Sequence, residues 1–181
     1  RNNMVKSMLK KFAGILLLGG LLGMTQVAPA QETAPDLLAR KVTEEVLTIV
    51  RADKDIQAGN TRKVYDLVEA KVLPHFNFSR MTRLAVGAPW RQANPAQQQS
   101  LTNEFRTLLV HTYVSAFSQY RDQTIEYRPL KMAAESEVTV QSRIKQSGGG
   151  DPIEVNYNME KTDSGWKVYD VTVEGVSLIT A

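Results

Sequence analysis

The 181-residue sequence predicts an α+β domain, with N-terminal helices packed on one face of a curved antiparallel β-meander of about four strands. Up to Tyr120 the apolar residues recur at the helical period of about 3.6; beyond it they alternate with polar residues at period 2. The alternating runs are separated by short polar turns, which makes successive strands antiparallel neighbours. A block of helices followed by a block of strands segregates the helices to one face of the sheet.

Before the first helix stands an export signal. Lys6, Lys10 and Lys11 form a basic head, and Phe12 to Met24 is a 13-residue apolar run. Ala28-Pro29-Ala30 then places small residues where a signal peptidase cuts, before Gln31. Thirteen residues span only ~20 Å as a helix, short of the ~30 Å hydrocarbon core of a bilayer. The expected organisation is therefore a cleaved signal at 1–30 and one domain at 31–181, with translation starting at Met4 or Met8. The first 30 residues hold four basic groups and no acidic one. The remainder carries 18 Lys and Arg against 19 Asp and Glu, a net charge of −1 instead of +3. That balance offers no electrostatic footprint for nucleic acid and little for an anionic membrane surface.

The elements follow in order. Leu38, Val42, Val46, Ile49 and Val50 mark one face of a first helix, with Asp36 as its N-cap. A second helix starts near Asn60 or Thr61, buries Val64, Leu67, Val68 and Val72, and ends at Leu73-Pro74. A short helix carrying Phe78, Met81 and Leu84 stops at Gly87. Asn94, Pro95 and Gln97 then form a capping box with proline at the first helical position. It opens a long helix whose periodic set is Leu101, Phe105, Leu108, Leu109, Thr112, Ala116, Phe117 and Tyr120.

In the second half Ile125 and Tyr127 alternate with polar neighbours, as do Val138, Val140 and Ile144. Gly148-Gly149-Gly150-Asp151-Pro152 turns the chain into Ile153, Val155, Tyr157 and Met159. Thr162 to Gly165 turns it into Trp166 and Val168. The last strand breaks parity, because Val171 and Val173 fall on the opposite face from Trp166 and Val168. A bulge near Tyr169-Asp170 restores a single apolar face and bends the sheet.

Chemistry is sparse. There is no cysteine, so thiolate zinc sites and disulfides are excluded. His75 and His111 stand far apart with no H-x-x-x-H pair, and no G-x-S-x-G or phosphate-cradling glycine loop occurs. Asp170 and Glu174 would lie ~13 Å apart on one strand face, too far for shared acid–base work. Residue pattern alone predicts an exported α+β binding domain. It does not separate a filled core from a hollow one.

Two stretches say more. Leu73 to Tyr120 contains LP, then GAPWR at Gly87–Arg91, then the Pro95 helix; the end reads GWKVYDVTVEGVSLIT from Gly165 to Thr180. Over residues 36–180 the chain resembles the MlaC family of periplasmic phospholipid carriers, also called toluene-tolerance or auxiliary organic-solvent-tolerance proteins. The resemblance implies a periplasmic, non-enzymatic carrier in a Gram-negative cell with no cofactor; the −1 charge and the absence of an unpaired apolar helix face lead to the expectation of a monomer. Its ligand would be a diacyl phospholipid whose chains fill an apolar cavity between helices and sheet. Its partners would be an outer-membrane lipoprotein–porin complex and an inner-membrane ABC transporter bearing MCE domains, together maintaining outer-membrane lipid asymmetry. The family pattern continues past the GVS segment with a Tyr-Arg stretch and one or two helices, which residues 31–181 do not include.

On this reading the cavity is lined by Phe76, Met81, Leu84 and Val86, and by Leu108, Thr112, Tyr113 and Phe117 of the long helix. The sheet supplies Val140, Ile144, Val155, Tyr157, Val168, Val171 and Val173. Each is equally readable as ordinary core. Arg91, beside Trp90, is the head-group candidate, with a surface salt bridge as its other reading. Two rivals remain. An enzyme of the ketosteroid-isomerase type would need a carboxylate in the pocket, and Asp170 is the candidate. A periplasmic chaperone or adaptor would show an open groove.

Overall fold

The computed structural model describes residues 33–118, 122–146 and 148–180. The signal expected at 1–30 lies outside them, and no described helix is long and apolar enough to cross a membrane.

Helix α1 (Pro35–Ala52) opens on Pro35 in its first turn, with no side-chain cap. The sequence expectation of Asp36 as N-cap is thus displaced: proline's fixed φ starts the helix at Pro35, two residues earlier than an Asp36 cap would, and Asp36 sits in the first turn. Asp53 ends α1 and caps the short α2 (Lys54–Gln57), accepting hydrogen bonds from the Asp55 and Ile56 amides. Asn60 caps α3 (Thr61–Lys71) through the Lys63 amide. A 3-10 turn at Leu73–His75 follows, as the proline requires. Asn77 caps α4 (Phe78–Val86), and Gly87 at φ +69° ends it. After a second 3-10 turn (Ala88–Gln92) the capping box forms as read: the Gln97 amide donates to Asn94 Oδ1 and the Asn94 amide to Gln97 Oε1, both at 2.9 Å. It starts α5 (Pro95–Ser118).

The strands are β1 (Thr124–Tyr127), β2 (Lys131–Ala134), β3 (Glu137–Lys145), β4 (Ile153–Thr162), β5 (Gly165–Val173) and β6 (Val176–Ser177). They form one antiparallel sheet ordered β1-β3-β4-β5-β6, with β2 also on β3. The four-strand expectation thus gains two short pieces. β1 and β2 lie along the same edge of β3, with Pro129, which has no amide to donate, between them. The β5–β6 turn sets both Glu174 (φ +51°) and Gly175 (φ +82°) in the left-handed region that two-residue hairpins need. The bulge is where parity placed it. Asn158 pairs with Asp170 and Met159 with Val168, leaving Tyr169 as the extra residue.

The chain from α3 to α4 is stitched to the free edge of β5. Phe76 forms a parallel bridge with Val168, and the Asn77 amide donates to the Val168 carbonyl at 2.8 Å. Two apolar clusters result. One is helical: Val46, Val50, Ile56, Val64, Leu67, Val68 and Leu73, closed by Val110 and Val114 of α5. The other is built on the sheet from Val138, Val140, Val155, Met159, Trp166, Val168 and Val171. Each fully buried aliphatic side chain contributes ~1.5–3 kcal/mol, so each cluster is a core in its own right. Helix α1 serves both, with Leu38 and Ala39 on the sheet cluster and Val42 to Val50 in the helical one.

Candidate functional site

The apolar face of the sheet is the candidate site. Strand register sets its rows: Val138 beside Met159 beside Val168, Val140 beside Tyr157 beside Val171, and Ser142 beside Val155 beside Val173. The helical side meets this face with Leu38, Ala39 and Phe76. Among the described residues no α5 side chain belongs to it, because the buried Val110 and Val114 turn into the helical cluster instead. The buried apolar residues thus fall into two clusters, one in each layer. They touch through the stacked rings of Phe76 and Phe78, one in each cluster, with centroids 5.7 Å apart.

Polar groups on this face form a line across three strands. Tyr127 of β1 pairs with Ser142 of β3, which pairs with Val155 of β4, two residues from Tyr157. The Ser142 hydroxyl donates to the Val155 carbonyl at 2.8 Å. Burial pushes the Tyr157 phenol well above the ordinary tyrosine value; nearby Tyr127 adds to the rise and a hydrogen bond with Ser142 opposes it. Tyr157 thus stays a neutral hydroxyl at any physiological pH. The Tyr127 phenol is raised for the same reason, burial, against a hydrogen bond to Thr43 Oγ1 at 2.8 Å.

Tyr127 also walls a cleft of about 280 Å³ between α1 and β1. Leu47 and Ile125 give it apolar surface, while Arg40, Thr43, Glu44 and Arg51 line it with polar groups. The Arg40 guanidinium lies 4.4 Å from the centroid of the Tyr127 ring. A second, shallower hollow lies where α1, α2 and α3 meet. It is crossed by Lys63, which pairs with Asp53 at 3.0 Å and Asp55 at 2.8 Å. Among the described residues no His, Asp and Glu group is arranged to hold a metal.

The sequence-predicted residues distribute unevenly. Phe76, Val140, Ile144, Val155, Tyr157, Val168, Val171 and Val173 all come together on the sheet face. Met81 is fully buried, Val86 half-buried and Leu84 44 % exposed. On α5, Leu108 is 59 % exposed, and Thr112 and Tyr113 are exposed as well. The Phe117 side chain lies outside what the structure describes. Arg91 is exposed on the 3-10 turn that carries the buried Trp90. Asp170 is 7 % exposed, yet it pairs with Asn158 on the opposite face and accepts a hydrogen bond from Ser177 Oγ at 2.9 Å. The one carboxylate considered for the isomerase reading therefore faces away from the apolar wall. Sequence reasoning passed over Val138, Met159 and Trp166, which share parity with the residues it chose, and over Leu38, Ala39 and Tyr127.

Known proteins agree with this geometry. The family model described as MlaC protein matches residues 40–181. The intermembrane phospholipid transport system binding protein MlaC of Haemophilus influenzae is 24% identical over 177 residues, covering 94% of this chain and 81% of that protein. Toluene tolerance protein ttg2D of Pseudomonas putida is 25% identical over 167 residues, covering 90% and 77%. A solved phospholipid-binding protein of Ralstonia solanacearum, in complex with a phospholipid, superposes with a TM-score of 0.74 at 36% identity, covering 81% of this chain and 82% of that one. Matched over most of its length in sequence and fold, the chain belongs to the MlaC family.

Proposed function

We propose that the chain is a periplasmic phospholipid carrier. It takes diacyl lipid between an outer-membrane lipoprotein–porin complex and an inner-membrane MCE-domain ABC transporter, and so helps maintain outer-membrane lipid asymmetry. The observation that carries this reading is the apolar sheet face: seven buried residues overlaid by Leu38 and Ala39 of α1 and by Phe76 at the β5 edge, beside a helical layer with its own core. Acyl chains entering there would rest on Val140, Val155, Tyr157, Val171 and Val173, with Phe76 at one side. Each methylene hidden from water is favourable by ~0.8 kcal/mol, so a carrier crossing an aqueous gap must cover both chains. The 36%-identical relative with phospholipid bound supports the ligand class.

The test is native mass spectrometry of the exported protein purified from cells. Diacyl phospholipid at about one per chain is the expected result. Protein that emerges without lipid, and takes up none from vesicles, would refute the reading.

A further inference from the structure

We propose that the α1–β1 cleft seats the phosphate of the bound lipid, with Arg40 as its cation and the Thr43 hydroxyl beside it. This rests on the phospholipid reading above and assigns the head-group end to a place other than Arg91.

Three observations converge. First, the cleft shares a wall with the apolar face, because the Tyr127 ring packs on the sheet cluster and also lines the cleft. Second, the cleft is a charged concavity. Arg40 and Glu44 both line it, and among the described residues Arg40 forms no ion pair, its guanidinium resting on the Tyr127 ring. A guanidinium spread over an aromatic face keeps its edge N–H groups available for the oxygens of a phosphate. Third, the hydroxyls of Tyr127, Ser142 and Tyr157 run from this cleft into the otherwise apolar wall. The linkage of a diacyl lipid is graded in the same way: an anionic phosphate, then glycerol esters that accept hydrogen bonds, then hydrocarbon. Arg40 and the Thr43 hydroxyl meet the first and the valine rows the third; the Tyr127 and Ser142 hydroxyls, already donating to Thr43 Oγ1 and the Val155 carbonyl, give the second a polar border between the two. Arg91, exposed beyond α4, adjoins neither Tyr127 nor the sheet cluster.

The probe is a vesicle mixture of phosphatidylglycerol and diacylglycerol with identical chains, incubated with the lipid-free protein and scored by mass spectrometry for the ratio bound. The wild type should prefer the phospholipid by about tenfold, the size of one charge-assisted hydrogen bond. Arg40→Ala should bring that ratio near unity and Arg40→Lys should restore part of it. Excess inorganic phosphate at constant ionic strength assigns the source. A ratio that drops in the wild type shows a seat open to any phosphate anion, and an unchanged ratio shows one reserved for the lipid-borne group. A wild type that takes neither lipid defeats the carrier reading itself. A wild-type preference kept in Arg40→Ala, or lost instead in Arg91→Ala, overturns the seat and leaves the carrier reading standing.

Discussion

The Arg80 guanidinium lies 3.6 Å from the centroid of the Tyr169 ring, so the residue expelled by the β5 bulge becomes the platform for a cation from α4. The same guanidinium pairs with Glu137 at 2.7 Å and with Glu160, and Asn77 Nδ2 donates to Glu160 Oε1 at 2.7 Å. Helix α4 is thereby fastened to the strands from the polar side of the sheet, leaving the apolar face free of the clamp.

Arg80→Ala should lower stability by about 2–3 kcal/mol, because it strands two carboxylates that are partly or mostly buried and uncovers an aromatic ring. In a domain of this size that corresponds to a fall in melting temperature of about 5–10 °C. Urea unfolding followed by circular dichroism measures it. A loss below about half a kilocalorie would mean that the cluster contributes no more than an exposed ion pair.

Filling the apolar wall separates binding from folding. Val155 and Val171 sit in adjacent rows of the face, both nearly buried. Val155→Trp or Val171→Trp should abolish lipid loading, with an overpacking cost of about 1–3 kcal/mol that leaves a cooperative transition. Lipid content and a denaturant melt on the same sample read both effects. Full loading in both variants would place the acyl chains elsewhere.

Stability should also fall as the solution is acidified below the ordinary histidine value. His75 has its pKa held down by burial first, then by Lys167 and Lys41, with Glu45 opposing them. The folded state therefore binds this proton less readily than the unfolded state does. The contribution is intact above the unfolded pKa of about 6.5 and is lost as pH falls toward the depressed folded value. Replacing His75 by Gln should flatten this part of the curve, measured as urea midpoints across pH 5 to 8. An unaltered slope in the variant would assign the effect to other groups.

How much of this was legible depends on how local the signal is. The bulge at Tyr169 was readable because two pairs of valine and tryptophan positions disagree in parity within one strand, and only an extra residue reconciles them. The Asn94–Gln97 box and the Gly87 stop were readable because their partners lie within a few residues. The face of α5 was not. Leu101, Phe105, Leu108 and Thr112 make one apolar stripe, and Val110 and Val114 another, and the chain buries the second while Leu101 and Leu108 stay exposed. Period alone cannot choose between two such stripes; packing against α3 does.

The candidate site divides in the same way. Its sheet half follows from alternation, since every second residue of β3, β4 and β5 must share a face. Its helical half depends on which part of α1 overlies the sheet, and nothing local distinguishes Leu38 and Ala39 from the Val42 to Val50 stretch of the same stripe. Pro129 hid the second edge strand by interrupting a run that otherwise continues along β3.

The helical and sheet layers each close their own core and are joined through α1, the β5 edge, the stacked Phe76 and Phe78 rings and the Arg80 cluster. If the chain carries lipid as proposed, chassis and cargo are separate: release of a lipid would leave both cores and the joints between them in place, and the unladen molecule would stay folded.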